Sequence, residues 1–321
     1  MKSVWFEQNR LSRLMLGTVQ FGIPYGVANR TGQPSYSDVR AIMTAAIEGG
    51  VTCFDTAAAY GTSEEVLGRV LHELGVAEQV VVVTKVRPLT PEELADAALA
   101  ERAIRNSIEE SCRRLRLDCL PVVLFHLETD AVCADVLEDL KQSGRLLQFG
   151  VSCDNRPGNA AKFAADPRIT ALQIPANLLD QRHQKSGIFA TALTSGTAVF
   201  VRSVYLQGLL VMAEADIPAA LREVIPTLRR LTALASDAGM GMAEAALRYM
   251  LSRDGVTSVL TGVETVDQVR RNVEILASGP LPSDLLAAID REVPELPESI
   301  LTPGKWPPRP TADVAADAAR T

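Results

Sequence analysis

Asp55, Tyr60, Lys85 and His126 are the side chains of this 321-residue chain whose types and spacing could do acid–base chemistry together. Asp55 follows the short apolar run from Val51 to Phe54, and Tyr60 lies five residues further on, in a loop leading into a helical pattern. Ser63 reads as the N-cap of that helix, with Glu64 and Glu65 suited to its first turn. Four valines and Thr84 deliver Lys85, and Val122 to Phe125 deliver His126. Neighbouring strands lie about 5 Å apart, so strand-end groups on consecutive strands converge on one small volume. A free phenol has a pKa of about 10 and is a poor acid at neutral pH. An ammonium beside it should lower that value, with Asp55 keeping Lys85 charged and oriented. His126 would then donate to a substrate oxygen, and Tyr60 becomes a proton donor to a carbonyl that receives a hydride. Taken singly, each residue reads as structural: a cap, a rim phenol, the edge of a core, a satisfied histidine. Only the four together point to chemistry.

Positioning them requires a parallel sheet. Short apolar runs at 14–19, 51–54, 80–85, 122–126, 146–152, 169–174, 198–203 and 256–261 alternate with helical patterns. Those helices are expected at 36–48, 63–74, 101–115, 131–142, 158–164, 183–194, 243–251 and 266–276, with an extra one at 221–235. The near-continuous apolar character of the runs fits strands covered on both faces. Gly49-Gly50, Gly75 and Gly144 sit where helices should stop. Eight βα units in unbroken series predict an α/β fold, a single-domain (β/α)8 TIM barrel over residues 1–300. Residues 301–321 predict a loosely ordered tail, because the proline-rich stretch 303–310 suits neither helix nor central strand.

Composition narrows the class. With 47% hydrophobic and 22% charged residues the chain has ample core, and a net charge of -7 argues against nucleic acid or an anionic membrane as partner. Residues 1–13 are mixed and polar, without a secretory apolar segment, and there is no uninterrupted run of about 18 apolar residues to span a bilayer. Five cysteines without CxxC pairing read as reduced, mostly structural thiols of a cytoplasmic enzyme. Three histidines, at 72, 126 and 183, cannot build an HxH or HExxH metal site.

The same residues resemble the aldo-keto reductase family, from about Leu14 to Asn272. Leu16-Gly17-Thr18 is similar to its first-strand glycine turn. Phe54 to Gly61, with Glu64, Leu67 and Gly68, is similar to its most specific motif. Thr84-Lys85 and Leu124-Phe125-His126 match its third and fourth strands, Leu140 to Arg145 leading into Gly150-Val151-Ser152 its fifth unit, and Leu172-Gln173-Ile174 with Asn177 its sixth. Gln207-Gly208-Leu209-Leu210 resembles the loop after the seventh strand, and Gly262 with Gln268 and Asn272 the adenosine-phosphate end of the cofactor site. The resemblance implies NADPH, with NADH as the alternative, and the tetrad Asp55, Tyr60, Lys85 and His126. Ser152, Gln173 and Asn177 would hold or flank the nicotinamide.

Three positions depart from that pattern. Cys153-Asp154-Asn155 replaces the usual Ser-Asn continuation, unless Asn155 loops back to restore the missing hydrogen bond. Arg202 stands where the family has an aromatic residue stacked on the nicotinamide; it either reaches an anionic or polyhydroxylated substrate, or turns outward, or yields the place to Tyr205. Glu264 would repel a 2′-phosphate and accept from a free ribose hydroxyl, with Arg270 and Arg271 able to offset it. Val19, Gln20, Phe21, Tyr25 and Trp306 are expected at the pocket mouth. With 5% aromatic residues the chain is poorly supplied for a polycyclic cage, so small aldehydes or open-chain sugars, or the matching alcohols, are the expected substrates. The alternatives are a cofactor-binding accessory or regulatory barrel with little turnover, or a lyase or epimerase that keeps its nicotinamide bound.

Overall fold

The computed structural model describes residues 3–6, 9–26, 29 and 32–306. An antiparallel hairpin, β1 (Ser3–Phe6) and β2 (Asn9–Ser12), precedes the eight expected strands. These are β3 (Leu14–Gly17), β4 (Cys53–Asp55), β5 (Val81–Val86), β6 (Leu120–Phe125), β7 (Leu146–Ser152), β8 (Ala171–Pro175), β9 (Ala198–Arg202) and β10 (Ser258–Gly262). All pair in parallel and in chain order, and β10 returns to β3 to close the barrel. The hairpin is a feature the polar opening residues did not suggest. Its Leu11 is buried inside the barrel with Met15, Cys53, Val81, Val122 and Phe200.

Side chains alternate along each strand between the barrel interior and the helical layer. Cys53, Val81, Val83, Val122, Leu124, Ala171 and Phe200 form the interior set, while Leu14, Leu16, Phe54, Val82, Val123 and Phe125 join the cluster under the helices. On β4, β5, β6, β8 and β9, two residues beyond the last apolar interior position, the period continues with Asp55, Lys85, His126, Gln173 and Arg202. Parity alone therefore directs this polar set toward the carboxyl mouth of the barrel.

The helices follow the expected series with local changes. Ser35 caps Tyr36–Glu48 by accepting from the Asp38 N–H, and Asp96 caps Ala97–Leu115 by accepting from the N–H groups of Ala98 and Leu99. The helix expected over 183–194 is two, Arg182–Lys185 and Ile188–Ser195, because Gly187 between them takes a left-handed φ of 78°. The extra helix spans Ile225–Asp237, preceded by a 3-10 segment at Ala219–Val224. Two further helices, Ser283–Glu292 and Glu298–Leu301, close the described chain. Pro303–Lys305 forms a 3-10 turn, a correction to the expectation of no helical structure there: proline at the first position leaves no donor unsatisfied. The Trp306 indole N–H donates to the Ile300 carbonyl at 3.1 Å. The remainder of the expected tail, 307–321, lies outside the described residues. Among the described residues, no helix is long and apolar enough to cross a membrane.

Candidate active site

Asp55 ends β4 and Lys85 lies in β5, one strand over. The Lys85 ammonium donates to Asp55 Oδ1 at 2.7 Å and to the Thr56 carbonyl at 2.9 Å, and the side chain is 1% exposed. Asp55 Oδ1 also accepts from Gln173 Nε2 at 2.6 Å, across the barrel from β8. The ammonium lies 4.9 Å from the centroid of the Tyr60 ring. Tyr60 in turn meets the His126 ring edge-on, with centroids 5.7 Å apart and planes at 88°. So the four groups named from the sequence meet at one point. Lys85 lies below it, off the cavity wall, while Asp55, Tyr60 and His126 line it.

The loop carrying Tyr60 is fixed from beneath. Gly61 takes a φ of 55°, and a Cβ on Gly22 would stand 1.8 Å from the Tyr60 carbonyl oxygen. The two turns therefore touch backbone to backbone, which only glycine permits. Ser63 is not the N-cap; Thr62 holds that position without a side-chain capping bond. Instead the buried Ser63 hydroxyl donates to the Thr18 carbonyl at 2.7 Å and lies 2.8 and 2.9 Å from the hydroxyls of Thr18 and Thr56. Glu64 stands in the first turn as expected and is buried there, accepting from the Thr84 hydroxyl at 2.6 Å and paired with Arg114 at 3.4 Å.

Electrostatics correct one expectation. Burial pushes the Tyr60 phenol above its ordinary range and outweighs the Lys85 ammonium, which pulls it down. The group is therefore a phenol, not a phenolate, throughout neutral pH. Burial works against the Lys85 charge, but Asp55 and Tyr60 together hold its pKa above the ordinary value. His126 is lowered to about 3, by burial first and then by the charges of Lys85 and Arg202. It is a neutral imidazole at pH 7, and its buried Nδ1 has no partner among the described residues. Because an unfolded histidine titrates near 6.5, the unfolded chain takes up this proton first as pH falls. The His126 contribution to stability is thus complete above about pH 6.5 and lost progressively toward pH 3. A His126→Gln variant should lose less of its urea midpoint between pH 7.5 and pH 5 than the parent does; equal losses would contradict a neutral buried imidazole.

The carboxyl ends of the strands surround a cavity of about 610 Å³. Of the cofactor-site candidates, Gly17, Ser152, Gln173, Arg202, Gly208, Gly262, Glu264, Gln268 and Asn272 line it. Thr18 does not: it is fully buried, its hydroxyl donating to the Asp55 carbonyl at 2.8 Å. Asn177 is spent within the protein, donating to the Ser203 carbonyl of the loop after β9 and accepting from the N–H groups of Leu179 and Asp180 in its own loop. Asn155 does not loop back; it donates to the Leu301 carbonyl, and Asp154 lines the cavity instead. Val19, Gln20 and Tyr25 line the cavity as expected, whereas Phe21 is core and Trp306 packs on the last helix. Tyr205 lines it too, its hydroxyl donating to Asn272 Oδ1 at 3.1 Å. Leu127 and Val211, exposed at the rim, carried no sequence signal beyond being apolar in loops. Over the mouth, Gln207 Nε2 donates to the Tyr25 hydroxyl at 3.2 Å, in a loop where Ser203, Leu206 and Gln207 all have positive φ.

The model of the Aldo/keto reductase family matches residues 13–293. The chain belongs to this family. As an aldo/keto reductase it is 27% identical over 288 residues to L-glyceraldehyde 3-phosphate reductase of Escherichia coli (strain K12), with 79% of this chain and 83% of that one covered. It is 30% identical over 288 residues to an uncharacterized oxidoreductase of Mycobacterium tuberculosis (strain ATCC 25618 / H37Rv), covering 82% and 84% of the two chains. The holo form of an aldo-keto reductase from Bacillus halodurans shares the fold, with a TM-score of 0.76 over 95% of this aldo/keto reductase and all of that chain, at 23% identity.

Proposed function

We propose that this aldo/keto reductase reduces small aldehydes and ketones, open-chain sugars included, with a reduced nicotinamide dinucleotide, or oxidises the matching alcohols. The observation that carries the reading is the Lys85 ammonium, held at 2.7 Å by Asp55 and 4.9 Å from the Tyr60 ring centroid. Tyr60 supplies the proton to the carbonyl oxygen, and neutral His126 holds that oxygen by a hydrogen bond. Lys85 stabilises the phenolate left behind, and Asp55 with Gln173 keeps the ammonium in place. When bound, the dinucleotide supplies the hydride.

The lining residues fit such a group. A Cβ on Gly262 would stand 2.5 Å from Gln20 Nε2, so a larger residue there would have to displace the Gln20 amide, whose buried Oε1 has no partner among the described residues. Arg271 lines the cavity beside Gln268 and Asn272, whereas Arg270 is exposed, 3.8 Å from Asp267. Arg271 supports NADP(H), since a guanidinium pairs well with a ribose phosphate, while Glu264 in the same wall favours a free hydroxyl. The name of the Escherichia coli relative supports a small aldehyde as substrate. Free thiols at Cys53, Cys112, Cys119, Cys133 and Cys153 support a reducing compartment, the cytoplasm.

Mixing the protein with NADPH, then NADH, and a panel of short aldehydes and sugars tests the reading through loss of nicotinamide absorbance. Steady consumption is expected, faster with NADPH. Binding without consumption would make the protein an accessory barrel, and product without net consumption a lyase or epimerase.

A further inference from the structure

Arg202 ends β9 half-buried on the wall of the cavity. One terminal nitrogen donates to the Cys153 carbonyl at 2.9 Å, and the other donates to the Ser203 hydroxyl at 3.4 Å. Those contacts occupy two of a guanidinium's five N–H donors. Two other partly buried arginines have a carboxylate, Arg182 with Asp180 and Arg253 with Asp290. Arg202 has none among the described residues. Asp154 lines the same cavity but is exposed to water and forms no ion pair with it. A cation held in a partly dry wall without a counter-ion is costly, and an anionic ligand relieves that cost.

Its position says which ligand. Arg202 shares the wall of one cavity with Tyr60 and His126, and its charge acts on both groups. An anion seated on it is therefore a few bonds from a carbonyl oxygen held by those two groups. We propose that Arg202 recognises an anionic group, a carboxylate or a phosphate, carried by the carbonyl substrate beside its reacting carbon. This rests on the reductase reading given above. A planar guanidinium meets either anion through paired N–H···O bonds, a geometry lysine cannot copy. In the reaction the carbonyl carbon gains a hydride from the reduced dinucleotide, the C=O π bond breaks toward oxygen, and that oxygen takes the Tyr60 proton. The anion keeps its charge throughout, so the contact is the same before and during reaction and its loss appears in KM more than in kcat.

The test compares steady-state reduction of glyoxylate, glycolaldehyde phosphate and neutral glycolaldehyde by the parent, Arg202→Met and Arg202→Lys. The parent should favour at least one anionic aldehyde by about 100-fold in kcat/KM, the worth of a charge-assisted pair. Arg202→Met should reduce that preference to about threefold or less, with the change mainly in KM, and Arg202→Lys should regain part of it. Preference for glyoxylate alone assigns a carboxylate; preference for the phosphate alone assigns a phosphate ester. A parent that turns over all three without discrimination overturns the proposal and leaves the reductase reading standing. Equal losses for charged and neutral aldehydes in Arg202→Met also overturn it. So does unchanged discrimination with an altered ratio of NADPH to NADP+ dissociation constants, which would assign Arg202 to the cofactor. No turnover of any aldehyde with either nucleotide removes both readings together.

Discussion

Tyr60→Phe should lower kcat/KM for carbonyl reduction by about 1000-fold, the middle of the range for loss of a positioned general acid. The substitution removes one oxygen and keeps the ring that packs on the Lys85 ammonium and the His126 edge. The thermal midpoint and the dinucleotide dissociation constant should accordingly stay near those of the parent. The loss should fall on kcat, because the proton is transferred only as the carbonyl is reduced. Burial raises the Tyr60 pKa, so the parent should reduce its substrate at a rate that is flat through neutral pH and falls only in strongly alkaline solution, as the donor ionises. Alcohol oxidation needs the phenolate and should rise with pH over that same alkaline range. A Tyr60→Phe protein with activity within a few-fold of the parent would remove this phenol from the chemistry.

Lys85→Met should cost about 3–5 kcal/mol of stability as well as activity, because it strands a carboxylate inside the barrel. Asp55 is 3% exposed, and with the ammonium gone its Oδ1 keeps only the Gln173 amide at 2.6 Å. The double variant Lys85→Met with Asp55→Asn removes both charges and should recover most of that loss. Reduction should stay severely impaired in both, since neither has the Lys85 ammonium to stabilise the phenolate left on Tyr60. Urea denaturation of the four proteins in the cycle measures the coupling. A single variant losing less than about 1 kcal/mol, or a double variant no more stable than Lys85→Met, would mean that the pair is not a buried charge couple.

Much of this arrangement is legible in the chain because strands alternate. Once Val81, Val83, Val122 and Leu124 are recognised as interior, Lys85 and His126 must share their face, and no long-range information is needed. Tyr60 was readable from its distance to Asp55. What could not be read depends on partners distant in sequence. Ser63 looks like a helix cap until Thr18, 45 residues earlier, is brought against its hydroxyl. Asn177 and Asn155 carry amides suited to a ligand, yet each is satisfied by a backbone carbonyl of another loop. The sign of the Tyr60 shift was hidden for a related reason: a neighbouring ammonium is visible in the sequence, whereas the extent of burial that opposes it is a property of the closed fold. Arg202 was visible as an oddity, but what gives the residue a direction is that no carboxylate among the described residues pairs with it.

The bond from Gln173 to Asp55 joins residues 118 positions apart, on strands facing each other across the ring. A nascent or truncated polypeptide ending before β8 would therefore hold Asp55 and Lys85 without the amide that completes their polar contacts. Two complementary half-barrels, each inert, would regain turnover only on docking, so appearance of the enzyme's rate would report annealing of the halves.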